Sequence, residues 1–147
     1  MDDKTAQTMN TMAETASEQS GLVLPPPVFT TMGGEILDVD LEARTLKAKF
    51  PNMPEYRNPM GFMQGGIIIT LMDNTMGPLS FMVAQPSVTT QLNTSYLRPV
   101  TPQDEFVYVT ASVDEMTRRQ LFMSARATNA EGKTFAICYA TCAIMGE

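Results

Sequence analysis

Histidine is missing from this sequence of 147 residues, and its absence excludes more chemistry than any single residue supplies. Histidine is the commonest general base and the usual partner of serine or cysteine nucleophiles. Ser-His-Asp and Cys-His hydrolases are therefore ruled out, and any catalysis must rest on carboxylates, amides, hydroxyls or the backbone. Cysteine is scarce too, with only Cys138 and Cys142. Two cysteines without histidine argue against a zinc site, and no other metal site is expected. Four apart in what reads as one strand, they share a face at about 13 Å separation for ~3.3 Å rise per residue, too far to bridge. They read as small buried hydrophobes, with a redox role as the alternative. Positive charge is also short: 10 Lys and Arg against 16 Asp and Glu leave a net charge of -6. That balance argues against a nucleic-acid surface or an anionic membrane as partner. The acidic, polar start Met1-Asp-Asp-Lys leads into no apolar segment, so neither a secretory signal nor a membrane span is expected, and the expected location is cytoplasmic.

At 44% hydrophobic residues, the chain has material for one ordinary core and no length for a second full domain. Residues 1–27 read as a polar leader, with a weak helical stripe at Met9, Met12, Ala13 and Ala16. It ends in Pro25-Pro26-Pro27, an extended stop before a folded domain over residues 28–147. After Gly33-Gly34 the pattern alternates through Ile36, Val39 and Leu41, turns near Glu42-Ala43-Arg44, and returns through Leu46 to Phe50, which predicts a hairpin. Four further strands are expected over Val88–Leu97, Phe106–Val113, Leu121–Thr128 and Thr134–Met145, with Gly132 in a positive-φ loop position.

Between the hairpin and those strands lies the stretch of greatest interest, Asn58 to Asp73. Paired glycines, Gly65 and Gly66, open an almost wholly apolar helix whose Ile67, Ile68, Ile69, Leu71, Met72 and Met76 cover most of its circumference, so burial on nearly all sides is expected. Gly77-Pro78 should end or kink it, and Leu79, Phe81, Met82 and Val83 suggest a kinked continuation. One carboxylate, Asp73, sits inside that apolar run. An ionised carboxyl there must be paired, hydrogen-bonded or neutralised, so Asp73 is either a structural network member or a chemical group. The order of two strands, one buried helix and four strands fits an α+β fold, an antiparallel sheet wrapped around a single helix.

The pattern Asn58-x-x-Gly61-x-x-Gln64-Gly65-Gly66, Asp73 nine positions after Gln64, Thr89 to Pro99, and the closing strands together resemble the hot-dog-fold acyl-CoA thioesterases of the phenylacetate-pathway (PaaI-like) type. The resemblance covers roughly residues 33–145. It implies a hot-dog fold, a homodimer or dimer of dimers, an acyl-CoA substrate, and no cofactor beyond the coenzyme A carried by that substrate. The family usually has His-Gly-Gly where this chain has Gln64-Gly65-Gly66. A glutamine amide can orient a group by hydrogen bonds but cannot shuttle a proton near neutral pH.

Thioester hydrolysis needs an activated water or nucleophile, and a donor where negative charge develops on the carbonyl oxygen. Asp73 is the candidate for the first. Gly65, at the positive end of the helix dipole, is the candidate oxyanion donor, or else a glycine needed for helix entry. Asp73 lies eight residues further, about 12 Å along a helix at ~1.5 Å per residue, so the two cannot serve one carbonyl from the same helix. A site shared across a two-fold axis is expected. Asn58 either holds the water or thioester oxygen or is a turn residue before Pro59. Thr89 matches the hydroxyl that supports the nucleophile in similar enzymes, or is simply a good strand former. Gln64 shapes the site beside the thioester, as the resemblance implies; Gly66 and Arg98 are candidates for substrate binding. Arg118, Arg119 and Arg126 are the other arginines available for coenzyme A phosphates, and the 13 methionines suit an adaptable acyl pocket or ordinary core filling. The competing reading is a non-catalytic hot-dog module that binds an acyl-CoA or related ligand.

Overall fold

Period-two alternation builds the first hairpin, in which β1 (Glu35–Asp40) pairs antiparallel with β2 (Thr45–Pro51). The turn between them is closed by the Asp40 carboxylate, which accepts the Ala43 N–H at 2.8 Å, and it places Arg44 at φ 56°. Leu46, Ala48 and Phe50 point inward and are fully buried. In this computed structural model, residues 21–146 are described, together with Asp3, Gln7, Thr11, Glu14 and Glu18, which are helical and exposed. The apolar leader stripe at Met9, Met12, Ala13 and Ala16 lies outside the described residues. Pro27 opens a short helix, α1 (Pro27–Thr31), a role suited to a residue whose missing N–H is unneeded in a first turn. Its Phe29 packs edge-on against Phe50 with ring centroids 5.4 Å apart.

A single-turn 3-10 helix (Pro54–Tyr56) leads to the long helix α2 (Gly65–Val83). Then come β3 (Ser87–Tyr96), β4 (Phe106–Met116), β5 (Gln120–Thr128) and β6 (Thr134–Ile144). The six strands form one antiparallel sheet in the order β1-β2-β4-β5-β6-β3. Gly132 takes φ 83° in the β5–β6 loop, as its position predicts, and Asn129 closes that loop by accepting the N–H groups of Glu131 and Lys133.

α2 lays Ile68, Leu71, Met72, Thr75, Met76 and Leu79 on the sheet, the i, i+3, i+4 stripe of a core helix. The rest of the circumference, including Ile69, Thr70 and Asp73, is only half-buried within one chain, so burial follows a stripe rather than the whole circumference. By length and apolarity alone α2 could cross a membrane, but its stripe is packed on the sheet of its own domain. Gly77-Pro78 does not end the helix, which runs on to Val83. Pro78 and Leu79 are buried, and the Ser80 hydroxyl donates to the Gly77 carbonyl at 2.6 Å; this packing holds the segment helical despite the missing donor. Leu71 is fully buried at the centre of the stripe. Leu71→Ala should destabilise the fold by about 2–5 kcal/mol, read as a lowered denaturant midpoint at unchanged slope.

Candidate active site

The start of α2 is fixed by an irregular loop tied down at several points. Asn58 organises it: its Oδ1 accepts the Met60 and Phe62 N–H groups at 3.0 and 3.1 Å. Its backbone N–H donates to the Phe62 carbonyl and its carbonyl accepts from Gly61, which sits at φ 83°. The Met63 N–H donates to the Val100 carbonyl, and the Gln64 N–H to the Tyr56 carbonyl at 2.7 Å. Gln64 is the residue before the helix, and its exposed side chain caps no helix N–H.

The N–H groups of Gly65 and Gly66 occupy the first turn, where an α-helix offers no internal acceptor, and neither finds a backbone partner among the described residues. A Cβ on Gly65 would come within 3.2 Å of the Tyr96 ring and hydroxyl, a contact tight enough that the Tyr96 side chain would have to shift to admit it. Open space surrounds the Cβ position of Gly66.

Two turns further along, the structure joins two residues singled out separately in the sequence. The Thr89 hydroxyl donates to Asp73 Oδ1 at 3.1 Å, and Asp73 Oδ2 has no partner among the described residues. Asp73 is half-buried on the side of α2 that faces β3. Cys142, opposite Thr89 in the β3–β6 register, places its thiol 4.0 Å from the Thr89 hydroxyl. Burial pushes that thiol up from its ordinary pKa; the Thr89 hydroxyl lowers it in part and the nearby Asp73 charge raises it further. Both cysteines are unpaired and buried, as their spacing predicts. The proximity of Cys142 to Asp73 has no signal in the sequence.

A β-bulge explains how one strand reaches both ends of this region. The register between β3 and β6 shifts between Thr89 and Gln91, with Thr90 Oγ1 donating to the Thr141 carbonyl at 3.0 Å. Thr89 and Tyr96 are seven positions apart, an odd offset that strict alternation would send to opposite faces. With one extra residue inserted, both face the helix: Thr89 toward Asp73, and Tyr96 toward Gly65, whose carbonyl accepts the Tyr96 hydroxyl at 2.8 Å.

Arg98 lies just beyond β3 and donates to the Thr134 carbonyl at 2.8 Å, while Arg126 donates to the Thr134 hydroxyl at 2.8 Å. Two guanidinium groups thus converge on one residue. Neither has a carboxylate partner among the described residues, where the ion pair is Lys49–Glu35. One chain therefore presents two clusters: Asn58, Gln64, Gly65, Gly66 and Tyr96 at the helix start, and Asp73, Thr89 and Cys142 further along it. No group of histidine, cysteine or carboxylate side chains suited to a metal ion occurs among the described residues.

A six-stranded antiparallel sheet packed on one long helix is the hot-dog architecture, and in this chain that helix carries a hydroxyl-bound carboxylate. A family model described as the thioesterase superfamily matches residues 60–136, just over half of the chain, and the protein belongs to that superfamily. Its class of reaction is thioester hydrolysis. Among solved structures it is similar to a phenylacetic acid degradation-related protein from Ralstonia eutropha JMP134, with 26% identity, a TM-score of 0.78, and coverage of 90% of this chain and 99% of that one. It is also similar to the E. coli PaaI protein of the phenylacetic acid degradation operon, at 16% identity, a TM-score of 0.78 and 95% coverage of each chain. A thioesterase protein from Streptococcus pneumoniae TIGR4, solved with coenzyme A, matches at 22% identity and a TM-score of 0.71, covering 78% of this chain and 90% of that one.

Proposed function

We propose that this hydrolase cleaves an acyl-CoA, at sites each formed between two subunits of a homodimer. The observation that carries the reading is the Asp73–Thr89 pair. The hydroxyl holds one carboxylate oxygen and leaves the other for the substrate, on a helix face that a single chain only half covers. The free N–H of Gly65 supplies the complementary donor, about 12 Å away along the helix axis at ~1.5 Å per residue. A second α2 running antiparallel brings Asp73 of one subunit to Gly65 of the other. β3 supports that arrangement: it is an edge strand of ten residues with Val88 and Tyr96 about half exposed. A long free edge carrying apolar side chains favours pairing with another strand.

In the proposed reaction an oxygen attacks the thioester carbonyl carbon; it belongs either to Asp73 or to a water that Asp73 deprotonates. The carbonyl electrons move onto oxygen, where the Gly65 N–H stabilises them. Collapse breaks the C–S bond; when water attacks, the coenzyme A thiolate takes up the proton that Asp73 drew from it, and when Asp73 attacks, a later water hydrolyses the acyl–Asp73 anhydride and supplies that proton. Asn58 fixes the loop that aims Gly65, and the exposed Gln64 amide orients the thioester without transferring a proton. Arg98 and Arg126 suit the phosphates of coenzyme A, the ligand with which the similar S. pneumoniae protein was solved.

The test is release of free thiol from phenylacetyl, benzoyl, butyryl, hexanoyl and lauroyl-CoA and from the matching N-acetylcysteamine thioesters. Turnover of at least one acyl-CoA is expected. Its advantage over the truncated ester should shrink about tenfold in Arg98→Ala, the scale of one charge-assisted hydrogen bond of ~1.5 kcal/mol. If every thioester survives while acyl-CoA still binds, the protein is a ligand-binding module, the reading that Gln64 in place of histidine favours.

A further inference from the structure

Tyr96 stands outside the chemistry described so far, yet it touches the backbone on which that chemistry depends. The Gly65 carbonyl that accepts its hydroxyl shares a peptide group with the Gly66 N–H. That N–H lies in the first turn and is free among the described residues. The neighbouring peptide, which carries the Gly65 N–H, has its carbonyl on Gln64, and this accepts the N–H groups of Ile67 and Ile68 at 2.9 and 3.3 Å. Both first-turn peptides are therefore held at their oxygens by donors, with their N–H groups left free. A hydrogen bond accepted at one end of a peptide polarises the donor at the other.

We infer that Tyr96 is a positioning residue for an oxyanion site made of two donors, Gly65 N–H and Gly66 N–H. The phenol orients and polarises the Gly65–Gly66 peptide through the Gly65 carbonyl. Three observations converge on this assignment. The ring packs within 3.2 Å of where a Gly65 Cβ would stand, so the contact is close as well as polar. No neighbouring atom lies within 4 Å of the Cβ position of Gly66, so no side chain of this chain crowds that flank of the residue that carries the second donor. Burial, together with the nearby Cys138, raises the Tyr96 pKa, which keeps the phenol protonated as a donor through the working pH range. The β-bulge that turns Tyr96 toward the helix also turns Thr89 toward Asp73, so one strand positions both halves of the machinery.

The inference rests on the thioesterase reading above and is tested with the full-length protein. Tyr96→Phe keeps the ring and removes the donor. We expect kcat to fall about tenfold, less than the 10²–10³ typical of deleting an oxyanion donor outright, because the N–H remains and only its orientation and polarity are lost. KM, and affinity for a non-hydrolysable thioether analogue of the best acyl-CoA, should stay within about twofold, since the interaction strengthens only as charge develops on oxygen. Gly65→Ala, whose methyl displaces the ring, should also lower kcat. Combined with Tyr96→Phe it should cost less than the product of the two single losses, because both perturb one contact.

An unchanged kcat in folded Tyr96→Phe, or a loss shared equally by turnover and analogue binding, overturns the inference while leaving the thioesterase reading intact. Should Tyr96→Phe fail to fold, undiminished kcat in Gly65→Ala overturns it instead. A wild-type protein without thioesterase activity sinks both readings together.

Discussion

Asp73→Asn should lower kcat on the best acyl-CoA by about a hundredfold or more, with KM changed by no more than a few-fold. The substitution is nearly isosteric, and its carbonyl oxygen can still accept the Thr89 hydroxyl that holds Asp73 at 3.1 Å. What disappears is the negative charge, and with it the ability to attack a carbonyl or take a proton from water. Because Asp73 is half-buried on an otherwise uncharged helix, removing its charge should not unfold the chain; the thermal midpoint should stay level or rise. A loss of less than tenfold would mean that the carboxylate serves the packing of α2 instead. The two routes for the attacking oxygen separate in a single-turnover reaction in heavy-oxygen water: direct attack leaves label in the Asp73 carboxyl, and attack by water does not.

The features legible in the sequence are those with a local period. The hairpin, the four closing strands and the start of α2 follow from alternation and from the glycine pair, and their observed limits fall within a few residues of expectation. Helix α1 is hidden because three successive prolines read as an extended stop, although the last can open a helix and Phe29 then finds the core. Pro78 reads as a breaker because burial of its neighbours is a property of the assembled core. At the candidate site, Asp73, Gly65 and Thr89 announce themselves through an ionisable group in an apolar run, a glycine pair and a family pattern. Tyr96 and Cys142 do not, because their significance depends on a bulge and on cross-strand register. Strict alternation assigns Thr89 and Tyr96 to opposite faces, and the bulge between Thr89 and Gln91 brings them to the same one.

Complementation between two inactive variants tests the shared site directly. Gly65→Val should lower kcat by about a hundredfold or more, because its side chain collides with the Tyr96 ring and hydroxyl and shifts the first-turn peptides that carry the N–H donors. If each site takes Asp73 from one subunit and Gly65 from the other, a mixed dimer of Asp73→Asn and Gly65→Val carries both defects in one site and neither in the other. Random exchange of equal amounts makes about half of all dimers mixed, so about a quarter of wild-type activity should return from two preparations that each have almost none. Were each site contained within one chain, every site would keep one defect and mixing would restore nothing. The distance along α2 makes the outcome one-sided: Gly65 and Asp73 are eight residues apart on one continuous helix, and no rotamer spans the ~12 Å between them. In the proposed arrangement the activity of this chain belongs to the pair of helices. A variant that blocks pairing along β3 should abolish turnover while Asp73 and Thr89 remain hydrogen-bonded within each subunit.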